Sequence, residues 1–173
     1  MNVVIIGSGG REHAIAYKIS QSKLLEKLFV IPGNPGTKLL AENVEIDITE
    51  FEEILNFCTK NNIELVVIGP EQPLANGLAD FLRIHNILVF GPNKTAAEIE
   101  ADKSFSKNLM KKYRIPTADF KIFNNDEIKS ALTYIDSMNY PVVVKASGLA
   151  AGKGVIICKN NTEAENAVKS CFE

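Results

Sequence analysis

Very little in these 173 residues supports an exported, membrane-spanning or nucleic-acid-bound protein. Cysteine is scarce: Cys58, Cys158 and Cys171 are odd in number, and their spacing suggests no pairing. A reduced, cytosolic compartment is the simple expectation. Histidine is scarcer, and His13 and His85 lie far apart with no cysteine beside them, which argues against a zinc site. No apolar run approaches the ~18 residues of a transmembrane candidate. The chain enters an apolar stretch directly after Met1, with neither a basic segment nor a cleavage site, so no signal peptide is expected. Charge of one sign is also missing. Nineteen Lys and Arg stand against 21 Asp and Glu, for a net charge of −2, and nucleic acid normally needs a basic face. The densest lysine cluster, residues 107–114, has a helical period and reads as a solvated face.

What is there is ordinary for a soluble globular chain, 46% hydrophobic and 23% charged. The length suits one medium domain, or one domain with part of another. Residues 2–6, 28–31, 65–68 and 88–90 are short β-branched or aromatic runs, and residues 44–46 form a possible short strand between them. Helical patterns over about 10–20, from a Thr49 cap with Glu52 placed for a capping box, and over about 74–85 alternate with these runs. That order implies right-handed crossovers and a parallel sheet. The runs are apolar on successive residues, as a sheet covered on both faces requires. Beyond Pro92 the pattern changes. Helices are expected near 94–100 and 102–113, a strand near 119–122, a helix near 126–138, strands at 142–145 and 155–158, and a last helix from about Thr162. This second part has few strands and no closing layer, so an incomplete second domain is expected.

Each strand end of the first part is followed by Gly or Pro with polar residues: Gly7-Ser8-Gly9-Gly10-Arg11-Glu12, Pro32-Gly33-Asn34-Pro35-Gly36-Thr37, Gly69-Pro70-Glu71-Gln72-Pro73 and Gly91-Pro92-Asn93. In an open parallel sheet such loops gather at the carboxyl edge, where ligands bind. The dinucleotide fingerprint is only partly matched. Glu12 occupies the place of its third glycine, and the second strand ends in Pro32-Gly33 without an acid for a ribose hydroxyl. Gly7 and Gly9 alone are as well explained by tight turns. The loops as a set favour a small anionic or polar ligand. Backbone N–H groups near Gly10, with Arg11 beside them, suit a phosphate. Glu12 either faces an amine or complements the dipole of its own helix.

In the second part, Lys145-Ala146-Ser147-Gly148-Leu149-Ala150-Ala151-Gly152-Lys153-Gly154-Val155 fails as a Walker A loop. Three residues, not four, separate Gly148 from Gly152, and Gly154 replaces the Ser or Thr that would reach Mg²⁺. A strand follows instead of a helix. A glycine-rich loop between two strands is closer in physics to the flap over nucleotide phosphates in kinases, with Lys145 beneath it. An ordinary glycine-rich hairpin is the plainer alternative, and Lys103 alone is uninformative.

Together these segments resemble the phosphoribosylamine–glycine ligase (glycinamide ribonucleotide synthetase) family of ATP-grasp enzymes. The matching residues run from Val4 to Ala14 (VIIGSGGREHA), Pro32 to Thr37 (PGNPGT), Gly69 to Leu74 (GPEQPL), Phe90 to Pro92 (FGP), and Val144 to Val155 (VKASGLAAGKGV). The resemblance implies an α/β chain with a Rossmann-like parallel-sheet domain over 1–92, linker helices over 93–118 and a truncated first ATP-grasp lobe over 119–173. It implies ATP-dependent ligation of glycine, activated as glycyl phosphate, to 5-phosphoribosylamine in purine biosynthesis. It assigns ATP phosphates to Lys103, Lys145 and Gly148, Leu149, Ala150, Ala151, Gly152, Lys153, Gly154 and Val155. It assigns the phosphoribosylamine side to Gly9, Gly10, Arg11, Glu12, Pro70 and Glu71. Mg²⁺ (or Mn²⁺) is required, with its ligands expected in a lobe beyond this chain; no catalytic or metal residue is named here. A cytoplasmic monomer with small-molecule substrates is expected, and the isolated chain is expected to be inactive. Two positions depart from the family: Ser147 stands where Asp is usual, and Asp102 precedes Lys103 where a small residue is usual. Another ATP-grasp carboxylate–amine ligase, or a non-catalytic nucleotide-binding module, is the alternative; the GGREHA segment favours the first reading.

Overall fold

Val3, Val4, Ile5 and Ile6 are all buried, because the strand they form, β1 (Asn2–Gly7), lies in the middle of a sheet with helices on both faces. The computed structural model describes residues 1–147 and 154–172. They form two compact units, Met1–Glu98 and Ile99–Glu173.

In the first unit β1 is followed by α1 (Gly10–Ser20), β2 (Lys27–Pro32), a single 3₁₀ turn (Thr37–Leu39) and β3 (Glu42–Asn43). Then come α2 (Phe51–Lys60), β4 (Leu65–Ile68), α3 (Glu71–Asn76), α4 (Leu78–Ile84), β5 (Leu88–Phe90) and α5 (Lys94–Ala101), which continues past the end of the unit. The five strands are all parallel, in the order β3-β2-β1-β4-β5. Alternate residues of β1 face opposite ways. Val3 and Ile5 pack with Ala16 of α1, and Val4 and Ile6 with Ile54 and Cys58 of α2 and Leu78 and Leu82 of α4. The strand order reverses between β1 and β4, which run parallel, so the loops after them diverge and leave a crevice at their carboxyl ends.

The second unit contains α6 (Lys103–Lys112), α7 (Ile128–Asp136), β6 (Val142–Lys145), β7 (Val155–Cys158) and α8 (Asn161–Phe172). β6 and β7 pair antiparallel, Val142 opposite Cys158 and Lys145 opposite Val155. One face of this hairpin joins a core with Ala131 and Ile135 of α7 and Ala164, Ala167 and Val168 of α8. Val143, Val155 and Ile157 remain exposed.

Four expected elements differ. The third strand lies at Glu42–Asn43, and only the Val44 N–H, donating to Val30 O at 2.9 Å, extends it towards 44–46. Thr49 does not cap α2, whose N-cap is Glu50; the Thr49 N–H and hydroxyl both donate to Asp47 Oδ1, at 2.8 and 2.7 Å. The helix expected over 74–85 is two helices, parted where Gly77 leaves the helical basin at φ +98°. Residues 119–122 form no strand. Their approach is instead fixed by Lys107, whose ammonium donates to Thr117 Oγ1 (2.5 Å) and Ala118 O (3.3 Å) and lies over the Phe120 ring.

Candidate functional site

The crevice of the first unit is built around one buried carboxylate. Glu12, in the first turn of α1, is only 3% exposed, yet both its oxygens have partners. Gly9 N–H donates to Oε2 at 2.7 Å and Arg11 Nε to Oε1 at 2.9 Å. The first of these bonds is half of a capping box, satisfying a helix-start donor. Glycine makes the burial possible. At Gly7, with φ +126°, a β-carbon would stand 2.7 Å from Glu12 Cγ and 2.9 Å from Pro70 Cδ; at Gly69 it would overlap the Glu12 carboxylate. So the loops after β1 and β4 close on Glu12 only because neither glycine carries a side chain.

Arg11 projects outward and joins two of the loops. Its Nη2 lies 3.6 Å from Glu71 Oε2, at the start of α3. The Glu12 hydrogen bond, then the Glu12 and Glu71 charges, hold its guanidinium above its ordinary value, so it is a permanent cation. Gly10 borders open space, with no atom near the position of a β-carbon.

The loop after β2 is tied to the loop after β1 by Asn34. Its amide donates to Ser8 O (2.9 Å) and Gly9 O (3.3 Å), while its Oδ1 accepts from Gly36 N (2.8 Å) and Thr37 N (3.0 Å). Buried Thr37 returns the contact by accepting from Asn34 N at 2.8 Å. Asn43 Nδ2 donates to Asn34 O at 2.8 Å. Between these loops is a cleft of about 590 Å³, lined by Gly7, Ser8, Gly9, Pro32 and Pro70 and, on its far wall, by residues 45–48. Glu45 and Asp47 bring two exposed acids to that wall. The Thr49 hydroxyl, then its N–H, hold the Asp47 carboxyl below its ordinary value.

Sequence reasoning assigned no role to Asn34 or to residues 45–48. The Asn-Pro-Gly-Thr spacing carries a local signal, since Asn side chains bond backbone N–H groups two and three residues on. Residues 45–48 carry none: they reach the cleft through the sheet order alone.

In the second unit, Lys145 is the exposed last residue of β6. The ladder runs one step further, with Ala146 N–H donating to Gly154 O at 2.9 Å. The glycine-rich segment therefore joins two paired strands and precedes no helix. Gly148, Leu149, Ala150, Ala151, Gly152 and Lys153 lie outside the described residues; Gly154 and Val155 are at the foot of β7. Lys103 is the first residue of α6, directly after its N-cap Asp102. Among the described residues no three His, Cys, Asp or Glu side chains are grouped to hold a metal, and no helix is long and apolar enough to cross a membrane.

Solved structures share this architecture. The biotin carboxylase domain of Hydrogenobacter thermophilus 2-oxoglutarate carboxylase, in complex with MgADP, ADP and bicarbonate, superposes with a TM-score of 0.74 over 99% of this chain and 40% of its own. At 21% identity that likeness concerns the fold alone. The Thermotoga maritima phosphoribosylamine–glycine ligase superposes with a TM-score of 0.71 at 34% identity, over 96% of this chain and 38% of its own. The fold is thus one shared with a solved phosphoribosylamine–glycine ligase, and residues 101–173 match an ATP-grasp domain model.

The chain belongs to the phosphoribosylglycinamide synthetase family, whose N domain matches residues 1–100 and whose ATP-grasp (A) domain matches residues 101–173. The phosphoribosylamine–glycine ligase of Mesorhizobium japonicum is 51% identical over all of this chain. The chain spans about 40% of the length of the curated relatives it matches.

Proposed function

We propose that this chain contributes the acceptor crevice and part of the ATP site of a ligase that joins glycine to 5-phosphoribosylamine, giving glycinamide ribonucleotide, ADP and phosphate. The observation that carries the ATP side is the β6–β7 hairpin, with Lys145 at its end and the glycine-rich segment between its strands. In this reading residues 1–92 supply the crevice, 93–118 the helices that lead to Lys103, and 119–173 the first lobe of the ATP clamp.

The chemistry asks for two things. A glycine carboxylate oxygen attacks the terminal phosphorus of ATP, ADP leaves, and the acyl phosphate that results is then attacked at its carbonyl carbon by the amine, releasing phosphate. The first step needs cations where negative charge develops on the transferred phosphoryl group, and Lys103 and Lys145 fit that need. The second needs water kept from the acyl phosphate. By resemblance alone, Gly148 to Val155 are assigned to covering the phosphates. A divalent metal, when bound, would offset phosphate charge as well; the described residues offer no group of ligands for it. On the acceptor side, Gly9, Gly10 and Arg11 face the ribose phosphate, while Glu12, Pro70 and Glu71 shape that pocket. Glu12 acts through the loop it fixes and Glu71 through Arg11.

The test is substrate dependence in the full-length protein. Phosphate release from ATP is expected only when glycine and phosphoribosylamine are both present, and residues 1–173 alone are expected to form no amide. Stimulation by bicarbonate in place of glycine would show a different carboxylate–amine ligase.

A further inference from the structure

Asp102 and Ser147 are in contact. Ser147 Oγ donates to Asp102 Oδ1 at 2.8 Å. The same carboxylate oxygen accepts from Ser104 N at 2.7 Å and Phe105 N at 3.1 Å, capping α6. The single Ser147 proton is spent on the carboxylate, so Ser104 Oγ, 2.8 Å away, donates to Ser147 Oγ; Ser104 N also reaches it at 3.2 Å. One cluster therefore fastens the start of α6 to the end of β6, between residues 45 positions apart.

Its place matters more than its strength. Asp102 directly precedes Lys103, and Ser147 follows Lys145 by two residues. We propose that Asp102 is a positioning residue of the nucleotide site, acting through Ser147 to set the spacing of Lys103 and Lys145. This rests on the reading of those lysines as phosphate contacts.

The bond needs one carboxylate and one hydroxyl, and either position can carry either group. Serine caps a helix about as well as aspartate, so the carboxylate can stand at 147 and the hydroxyl at 102 with cap, bond and local net charge all kept. Asp at both positions sets two carboxylates against each other. Ser at both keeps only a neutral bond, weaker than a charge-assisted one. The Asp102–Ser147 pair is thus reciprocal: either residue can supply the carboxylate so long as the other supplies the hydroxyl.

The test is a cycle in the full-length protein, reading KM for ATP, kcat and thermal midpoint together. Ser147→Asp is expected to raise KM for ATP about tenfold, the scale of a lost charge-assisted bond plus repulsion, with kcat changed less than about twofold. Adding Asp102→Ser to that variant is expected to bring KM back to within about threefold of the starting protein. Ser147→Ala, which removes only the hydroxyl and is the milder variant should Ser147→Asp not fold, moves KM in the same direction by about threefold. Failure of Asp102→Ser to recover the Ser147→Asp loss, or a change confined to the thermal midpoint, overturns the proposal. Lys145→Ala is the control. If it leaves KM for ATP unmoved, the nucleotide-site reading itself falls; if it raises KM while the cycle shows no coupling, only the positioning role of Asp102 falls.

Discussion

Gly69 and the carboxylate of Glu12 share a space that no β-carbon can enter. Glu12 cannot simply swing aside, because Gly9 N–H and Arg11 Nε hold its two oxygens and the residue is buried. Gly69→Ala must therefore displace a bonded carboxylate or part the loops after β1 and β4. A loss of about 2 to 3 kcal/mol is expected by denaturant titration. In a Glu12→Ala background the same substitution is expected to cost clearly less, since the group it strikes is gone. Equal costs in the two backgrounds would contradict this account of the loops.

The two halves of the proposed site separate kinetically. Lys145→Ala in the full-length protein is expected to raise KM for ATP by about tenfold or more, and to leave KM for phosphoribosylamine near its starting value. Arg11→Ala is expected to do the reverse, because its guanidinium stands in the crevice loops. Steady-state kinetics with each substrate varied in turn distinguishes them. Identical profiles for the two variants would argue against separate acceptor and nucleotide sides.

Much of the fold was readable because β1, β2 and β4 are buried on both faces and so appear as unbroken apolar runs, while the edge strand β5, with Leu88 and Phe90 exposed, shows as a short apolar run all the same. Their terminal Gly and Pro residues announced the loops of the crevice. The short β3 was misplaced, since a strand two residues long has no periodicity to read. The strand expected at 119–122 failed because nothing local reveals that Lys107 will claim the residues before it. The site divides in the same way. Arg11 and Glu12 were visible in a motif, whereas the wall formed by residues 45–48 exists only once β3 lies beside β2. The Asp102–Ser147 bond was hidden for a related reason. The two residues lie 45 positions apart, and only the folded second unit makes them neighbours.

Cys58 provides a test of the core. It is buried between α2 and the sheet, and burial pushes its thiol up to about 12. The folded state thus favours the neutral thiol. Its contribution to stability is fully present below the unfolded value near 8.5 and declines as pH rises from there towards 12. Cys58 is expected to resist alkylation at pH 8 to 9 until denaturant is added, as read by mass spectrometry of the modified peptides. Fast modification of Cys58 in the native protein would mean that α2 does not cover the sheet as described.

The central claim is that glycine is activated through its own carboxylate at an ATP site to which Lys103 and Lys145 belong. The direct measurement uses glycine carrying heavy oxygen in its carboxylate, with ATP and phosphoribosylamine, in the full-length protein. One labelled oxygen per amide formed is predicted to appear in the released phosphate, because the oxygen that attacks phosphorus leaves with it. Amide formation with unlabelled phosphate, or labelled phosphate released without amide when phosphoribosylamine is saturating, would contradict the account.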